Sequence, residues 1–495
     1  MKRLLYHSII ILFIILSSCS SFLNENPKDR LVIDNFYSNS KDAQAGVDAT
    51  YQQLNSIYLR LMYMLGDLPT DDMKNGLGMP NPNLQNLEYL RIDPANPFIA
   101  NLWINCYSGI SRANTVIDKI PNATMNATLK NRFIGEVKFL RALCYFDLVR
   151  CFGDVPLILK LESINDAMGA RSPKAEVYKQ IIEDLTFAEA NLPLRSEYGS
   201  TDQGRATKGA AKILLGKVYL TQGDFQKAKD KLAEVVNNES TYGYGLHKNY
   251  ADNWNTATEA GIEAVFYLEF DKYPLPYNDE MGLAGPKYSL PGGDVGISGS
   301  NEADIPTREL YDQYIVNDLR RAKNFRFSFT NPKTGAILVS SIPLSTKYWK
   351  DGLLTANDCD VNTFVLRYAD AILMYAEALG ETGDLTNALT QLNRIRTRAF
   401  GDTSGNLAPM PKDAFKKAVI NERRLELNHE GNRWFDLVRT GTFVQRMKDH
   451  SAYESTVAEK LKTDIAVNVK EAHNLYPIPQ REIDLNPQLK QNPGY

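Results

Sequence analysis

The chain has 495 residues, of which 43% are hydrophobic and 23% charged, and its formal net charge is −3. This composition is typical of a globular protein with a sizeable core and excludes a disordered chain. Lys and Arg number 56 against 59 Asp and Glu, so no basic field indicates a nucleic-acid partner.

The N-terminus has the features of an export signal. Two basic residues precede an apolar stretch, Leu4–Leu16, which is shorter than the roughly 20 residues that a helix needs to cross a membrane. A leucine and two serines then stand before Cys19, which is the pattern that lipoprotein signal peptidase cleaves. We therefore predict that residues 1–18 are removed and that Cys19 carries lipid. The alternative is an ordinary secretory signal with an incidental cysteine.

Four further cysteines are too few for a dense disulfide framework. Cys144 and Cys151 fall on one predicted helix, seven residues and about 10.5 Å apart, which is beyond the reach of a disulfide. We expect Cys106, Cys144, Cys151 and Cys359 to be small buried thiols.

Helical spacing of apolar residues dominates the chain. The stretch "RFIGEVKFLRALCYFDLVRCFG" predicts a helix that ends at Gly153. Ser172 as N-cap and Pro173 as first helical residue predict the start of another helix, which runs to just before Pro193.

An internal repeat with an offset of 160 residues joins "KILLGKVYLTQGDFQKAKDKL" from Lys212 and "AILMYAEALGETGDLTNALTQL" from Ala371. The matched pairs are Gly216 and Ala376, Tyr219 and Leu379, Gly223-Asp224 and Gly383-Asp384, Ala228 and Ala388, and Leu232 and Leu392. Small residues that let two antiparallel helices approach, with Gly-Asp at the turn, are typical of tetratricopeptide repeats. Such pairs need neighbours, so we expect further helical pairs near residues 37–60 and 100–150.

Two stretches lack helical spacing. Residues 245–360 are rich in proline and glycine, and short strands such as "EAVFYLEF" flank the irregular part. The stretch "GDLPTDDMKNGLGMPNPNLQNLEYL" forms a second irregular region between two N-terminal helices. Loops on a rigid scaffold are where binding groups usually lie.

Motifs for catalysis and metal binding are missing from the sequence. None of the five histidines has zinc-ligand spacing, and neither GxSxG nor GxxxxGK[ST] occurs. Asp71, Asp72 and Asn75 precede Gly76 as in a calcium loop, but the remaining ligands of an EF-hand do not follow. We expect no metal and no cofactor. Two carboxylates could serve glycoside hydrolysis, but the sequence singles out no pair.

The segment "ERRLELNHEGNRWFDLVRTG" from Glu422 is dense in arginine and acidic residues. Arg423, Arg424 and Arg433 could form an anion site. We favour a structural role instead, in which ion pairs and a buried Trp434 lock the helix to the scaffold.

Seven stretches in order along the chain resemble the SusD/RagB family of outer-membrane nutrient-binding lipoproteins of Bacteroidetes. They are "SSCSSFLNENPKD", "NCYSGISRANTVID", "GEVKFLRALCYFDLVRCFGDVPLI", "GRATKGAAKILLGKVYLTQGD", "RYADAILMYAEAL", "ERRLELNHEGNRWFDLVRTG" and "LYPIPQREIDLNPQLKQNPGY".

This resemblance implies an all-α, tetratricopeptide-like scaffold with long irregular ligand-binding loops and a few short strands. It implies one domain over residues 19–495, with the loop-rich insertion at about 245–360. It also implies a cell-surface lipoprotein of the outer membrane that has no enzymatic activity and caps a SusC-like TonB-dependent transporter, to which it delivers its ligand. No binding residue carries over by motif, because in the family variable loops form the site.

The loops themselves supply the candidate ligand residues. Acidic and amide side chains bind sugar hydroxyls, and tyrosines stack on sugar faces. The candidates are Asp71, Asp72, Asn75, Tyr89, Tyr273, Tyr277 and Tyr288. The irregular runs that hold these candidates, residues 66–90 and 273–306, contain no tryptophan, which favours a smaller or branched glycan over a starch helix.

The leading hypothesis is therefore a glycan-binding lipoprotein. A peptide-binding lid of a RagA-like transporter, a surface glycosidase, and a lid without ligand affinity are the alternatives.

Overall fold

The computed structural model describes residues 36–75, 81–160, 166, 168–271, 305–457 and 464–495, and these residues are mostly helical. The first helices are α1 (Ser40–Gln53), α2 (Asn55–Tyr58), α3 (Leu61–Gly66), α4 (Pro82–Glu88), α5 (Pro97–Lys119), α6 (Ala127–Phe152), α7 (Lys174–Asn191), α8 (Lys208–Thr221), α9 (Phe225–Val236) and α10 (Glu239–Tyr242). The later helices are α11 (Arg308–Gln313), α12 (Arg320–Asn324), α13 (Tyr368–Glu381), α14 (Leu385–Phe400), α15 (Lys412–Glu426), α16 (Arg433–Arg439), α17 (Phe443–Glu454) and α18 (Gln480–Leu485). None of these helices is long and apolar enough to span a membrane.

The predicted repeat is confirmed as two helical hairpins, α8–α9 and α13–α14. Asp224 and Asp384 cap the second helix of each hairpin, because their carboxylates accept the backbone N–H groups of Lys227 and Asn387. The preceding glycine has a positive φ in both turns, 76° at position 223 and 93° at position 383. The Gly-Asp pairs therefore form the same type of turn in both hairpins.

The hairpins belong to a longer stack. Helix α9 packs against α13, which joins the two repeats, and α7 packs against α8. The expected neighbours are also present, since α6 packs against both α5 and α7, and α1 packs against α5. One large apolar core runs through this stack.

The two helix boundaries predicted from the sequence lie within one residue of their positions in the structure. Helix α6 ends at Gly153 as predicted, with a φ of 73°. Helix α7 begins one residue later than predicted, because Pro173 is its N-cap and Ser172 instead donates its backbone N–H to the carbonyl of Val155.

One predicted irregular stretch contains a helix. The Asn81 side chain accepts the N–H of Asn83, and Pro82 starts helix α4. Leu84 and Leu87 of this helix are fully buried in the main core. The density of Gly, Pro and Asn around this segment masked a well-capped helix.

In the part of the chain that the structure describes, six short strands form three antiparallel pairs. The strands are β1 (Met73–Lys74), β2 (Ala264–Leu268), β3 (Ile305–Pro306), β4 (Phe325–Thr330), β5 (Ile337–Ser345) and β6 (Thr363–Arg367). Strand β2 lies within the predicted "EAVFYLEF" strand, and the pairs are β1–β3, β2–β6 and β4–β5. The four later cysteines are buried free thiols, as expected.

We predict that the substitution Gly66→Ala destabilises the protein. An added Cβ would lie 2.3 Å from the carbonyl oxygen of Gly431, and backbone cannot move aside as a flexible side chain can. We expect a loss of about 3 kcal/mol in the free energy of unfolding, measured by urea denaturation. Gly199→Ala is the control, because no atom lies within 4 Å of its added Cβ. Equal stability of the two variants would contradict the prediction.

Candidate functional site

The two loop regions that carry most of the candidate ligand residues start from one place. Strands β1 and β3 pair with Met73 opposite Pro306 and Lys74 opposite Ile305. Residues 76–80 follow one strand of this pair and residues 272–304 precede the other. We call the β1–β3 pair the loop ladder. It brings together two segments that are about 200 residues apart in the sequence.

Thr307 ties the loop ladder to the backbone before β1. Its hydroxyl donates to the carbonyl of Asp71 at 2.7 Å, and its backbone N–H donates to the carbonyl of Asp72 at 2.8 Å. The same hydroxyl caps α11 by accepting the N–H of Leu310. The start of α11 and the end of the 67–72 segment are therefore fixed to each other.

Three arginines bind the side chains of Asp71 and Asp72, at the end of the 67–72 segment. The Asp71 carboxylate accepts two bonds from Arg433, at 2.8 and 2.9 Å, and one from Arg446 at 2.5 Å. Arg424 donates to the Asp72 carboxylate at 2.5 Å and to the Asp71 carbonyl at 3.0 Å. Burial alone would raise the pKa of Asp71, but Arg424, Arg433 and Arg446 hold it well below its usual value.

These contacts change the role assigned to two candidate residues. Asp71 and Asp72 are 0% and 1% exposed, so in this structure neither carboxylate faces solvent. The sequence indicated a polar loop, whereas the structure places both carboxylates in an anchor beneath the loop ladder. The physical reason is that three arginines from the last third of the chain converge on them.

The remaining candidates are placed differently. Asn75 directly follows β1 and is half-buried. Tyr89 is half-buried against the main core, with the Arg91 guanidinium 5.6 Å from its ring centroid. Tyr273, Tyr277, Tyr288 and the lipid-attachment residue Cys19 lie outside the described residues.

The other end of the large loop region has a polar support that sequence reasoning missed. The backbone N–H of Phe270 donates to the Asn362 side chain, and the backbone N–H of Asn362 donates to the Glu259 carboxylate, both at 3.0 Å. Burial raises the pKa of Glu259 to about 7. Nothing in the sequence singled out these residues, except that they flank the paired strands β2 and β6.

An aromatic cluster, which we call the second core, includes one residue near each end of the large loop region, Tyr267 and Ile305. It includes Trp254, Phe329, Tyr348 and Trp349, with the Phe329 and Trp349 rings edge to face at 4.6 Å between centroids. Ile305 of the loop ladder belongs to the same cluster. The loops therefore start from a rigid aromatic base.

The arginine-rich segment at 422–441 has the predicted structural role. Arg423 donates to Asp370 at 2.7 Å and to Asp436 at 2.8 Å. Trp434 is fully buried and stacks on Tyr476 with 4.8 Å between ring centroids. The arginines thus bind carboxylates of the protein itself.

Within the described ranges, no group of His, Cys, Asp or Glu side chains has the arrangement needed to hold a metal ion. The possible calcium ligands Asp71 and Asp72 are bound by arginine instead.

Two open grooves of similar size lie outside the loop ladder. The first, of about 800 Å³, runs between α15, α16 and the turn of the α8–α9 hairpin, and half of the twenty described residues that line it are charged. The second, of about 820 Å³, lies along α5 and faces the C-terminal segment.

Two family models match parts of the chain. A family model described as "SusD family" matches residues 341–495, and one described as "Starch-binding associating with outer membrane" matches residues 21–220. SusD-like protein P25 of Formosa agariphila is 27% identical, covering 98% of this chain and 99% of that protein. The starch-binding protein SusD of Bacteroides thetaiotaomicron is 22% identical, covering 91% and 89%.

Solved structures are similar over nearly the whole chain. A laminarin-binding SusD-like protein superposes with a TM-score of 0.76 at 28% identity, covering 93% of this chain and all of the other. A SusD superfamily protein from Parabacteroides distasonis gives 0.78 at 26% identity, covering 92% and 99%. These similarities confirm the helical, tetratricopeptide-like fold.

We predict that Asp71→Asn destabilises the protein by about 3 kcal/mol, because it leaves buried arginines without their anion. The folded pKa of Asp71 lies below its unfolded value, so its contribution is present at neutral pH and is lost only below about pH 4. Urea denaturation at pH 7 measures the effect.

The matched control is Asp351→Asn, since Asp351 also binds an arginine, Arg326, but its side chain is 70% exposed. We expect this control to lose less than about 1 kcal/mol. Equal losses in the two variants would show that the anchor under the loop ladder does not depend on the buried charge.

Proposed function

Because the chain belongs to the SusD family, we propose that it binds a glycan at the loops that start from the loop ladder. The observation that carries this proposal is the pairing of β1 with β3 above a buried anchor of three arginines. The anchor fixes the ends of the loops while leaving their sequences free to vary. Binding groups on loops over a rigid scaffold are the usual arrangement.

The chemistry of the loop residues suits a saccharide. Tyr273, Tyr277 and Tyr288 offer ring faces to the C–H surfaces of sugars, each contact contributing about 0.5 to 1.5 kcal/mol beyond area burial. Asn75 stands directly after β1, where its amide can bind sugar hydroxyls. The names of two relatives, a starch-binding protein and a laminarin-binding protein, support a glycan ligand.

The wider role that we propose is capture without catalysis. The protein, anchored in the outer membrane through lipid on Cys19, holds the glycan outside the cell and delivers it to a SusC-like TonB-dependent transporter. The signal pattern that ends at Cys19 supports lipid attachment at this residue. The family model that describes outer-membrane association supports the proposed location in the outer membrane.

We predict that calorimetric titration of the protein from Ser20 onward with a panel of glycans gives saturable binding of one glycan class without turnover. Combined replacement of Tyr273, Tyr277 and Tyr288 by alanine should weaken this binding at least tenfold, since three stacking contacts are lost.

Tyr219→Ala, on the outer part of a helical repeat, is the control and should retain the affinity. If the titration gives binding heat only with a peptide digest and with no glycan, the result would favour the alternative that the protein binds peptides. Released reducing sugar would overturn the proposal of a non-catalytic binder.

A second prediction concerns the lipid anchor on Cys19. Cys19→Ala should move the protein from the outer-membrane fraction to the soluble fraction, because no thiol remains for lipid attachment. Cys359→Ala, which removes a buried thiol of the second core, is the control and should stay in the membrane fraction. Retention of the Cys19 variant in the membrane fraction would refute lipid anchoring.

A further inference from the structure

The groove along α5 has the size and shape of a small-molecule site. Its walls are α5, the end of α1 and the C-terminal segment that includes α18. We call it the α5 groove. Its volume of about 820 Å³ lies within the roughly 300 to 1,000 Å³ of typical ligand pockets. None of the described residues that line it belongs to the loop ladder or to the second core.

The lining of the α5 groove is polar but largely uncharged. Among the lining residues that the structure describes, three of nineteen carry charge here, against ten of twenty in the other large groove. Four side-chain amides line it, those of Gln53, Asn105, Asn114 and Asn486. Amides both donate and accept hydrogen bonds, so this surface suits a neutral ligand that is rich in hydroxyl groups.

An aromatic pair forms the apolar part of the lining. The rings of Trp103 and Tyr107, one helical turn apart on α5, lie 5.0 Å apart between centroids. Trp103 also packs edge to face on Phe152 at 5.1 Å, and the Tyr107 hydroxyl donates to the carbonyl of Pro156 at 2.8 Å. These contacts hold both rings in place before any ligand arrives.

One buried donor in the lining has no acceptor among the residues that the structure describes. Trp103 is 3% exposed, and its indole N–H forms no hydrogen bond with any residue that the structure describes. The indole nitrogen of Trp103 retains some solvent-accessible surface, whereas the indole nitrogens of Trp254 and Trp434 are fully enclosed. Since Trp103 lines the α5 groove, this N–H is accessible to a ligand that enters it.

The amides beside Trp103 are pre-positioned as well. The Gln53 side-chain amide donates to the side-chain oxygen Oδ1 of Asn105 at 3.2 Å, and the Asn105 side-chain amide donates to the backbone carbonyl of Ser56 at 3.3 Å. Both side chains retain further donor and acceptor capacity toward the groove. A row of fixed amides beside aromatic rings matches the alternating hydroxyl and C–H surface of a sugar.

From these observations we propose that the α5 groove is a second saccharide-binding site, separate from the loops, which takes a neutral oligosaccharide. Trp103 donates a hydrogen bond from its indole N–H, and Gln53 and Asn105 bind hydroxyl groups. A charged peptide fits less well, because the groove offers few charges to its termini and side chains. This site extends the proposed function but does not depend on the loops.

The test follows the indole N–H groups of the four tryptophans by NMR of protein labelled with ¹⁵N at the indole nitrogen. The signal of Trp103 is assigned from its disappearance in Trp103→Phe. Titration with maltoheptaose and with laminarihexaose should shift this signal saturably, and the shift should persist in the variant that lacks the three loop tyrosines. Trp103→Phe keeps an aromatic ring but loses one hydrogen bond, so groove affinity should fall about three- to tenfold.

Asn105→Ala gives a second variant on the rim, and Trp349→Phe is the matched control for the groove titration. Unfolding temperatures establish that each variant is folded. If glycan binds only through the loop tyrosines and the Trp103 signal does not move, the groove proposal is wrong while the proposed function stands. A shift of the Trp103 signal with peptides but not with either glucan would also overturn it. Absence of heat and of shifts with every glycan would instead contradict the proposed function.

Discussion

The structure depends on one buried carboxylate, Glu426, at the end of α15. It accepts hydrogen bonds from Arg320 at 3.0 Å, Arg367 at 2.6 Å and Arg398 at 2.5 Å, and all four side chains are buried. Burial alone would raise the pKa of Glu426, but these three arginines hold it well below its usual value. Because an unpaired buried charge costs several kcal/mol, each partner requires the others. The network thereby joins α12, β6 and α14 at one point.

The same helix end connects the scaffold to the ligand face. Arg424 lies two residues before Glu426 and reaches the segment in front of β1, while Glu430 binds Arg367 and the buried Lys347 near the second core. The last turn of α15 and the residues just after it thus fix the helical stack, the aromatic base and the loop ladder relative to one another. Such a frame lets the loops change their ligand without changing the fold.

Local patterns carried the predictions that succeeded. The Gly-Asp turns at 223 and 383 and the end of α6 at Gly153 depend on residues within a few positions of each other. The buried position of the Asp71 carboxylate depends on an arginine 362 residues away, which no local pattern contains. The α5 groove was equally beyond sequence reasoning, because its walls come from opposite ends of the chain. Sequence therefore revealed the scaffold, whereas the roles of polar residues emerged from long-range charge pairing.

Hydrogen–deuterium exchange with and without saturating glycan tests the central claim most directly, because it reports every backbone segment at once. The account predicts slower exchange in peptides that span residues 71–81 and 270–308, on both sides of the loop ladder, with the α8–α9 and α13–α14 hairpins unchanged. Protection confined to the helical hairpins, with none at the loop ladder, would contradict the assignment of the ligand face.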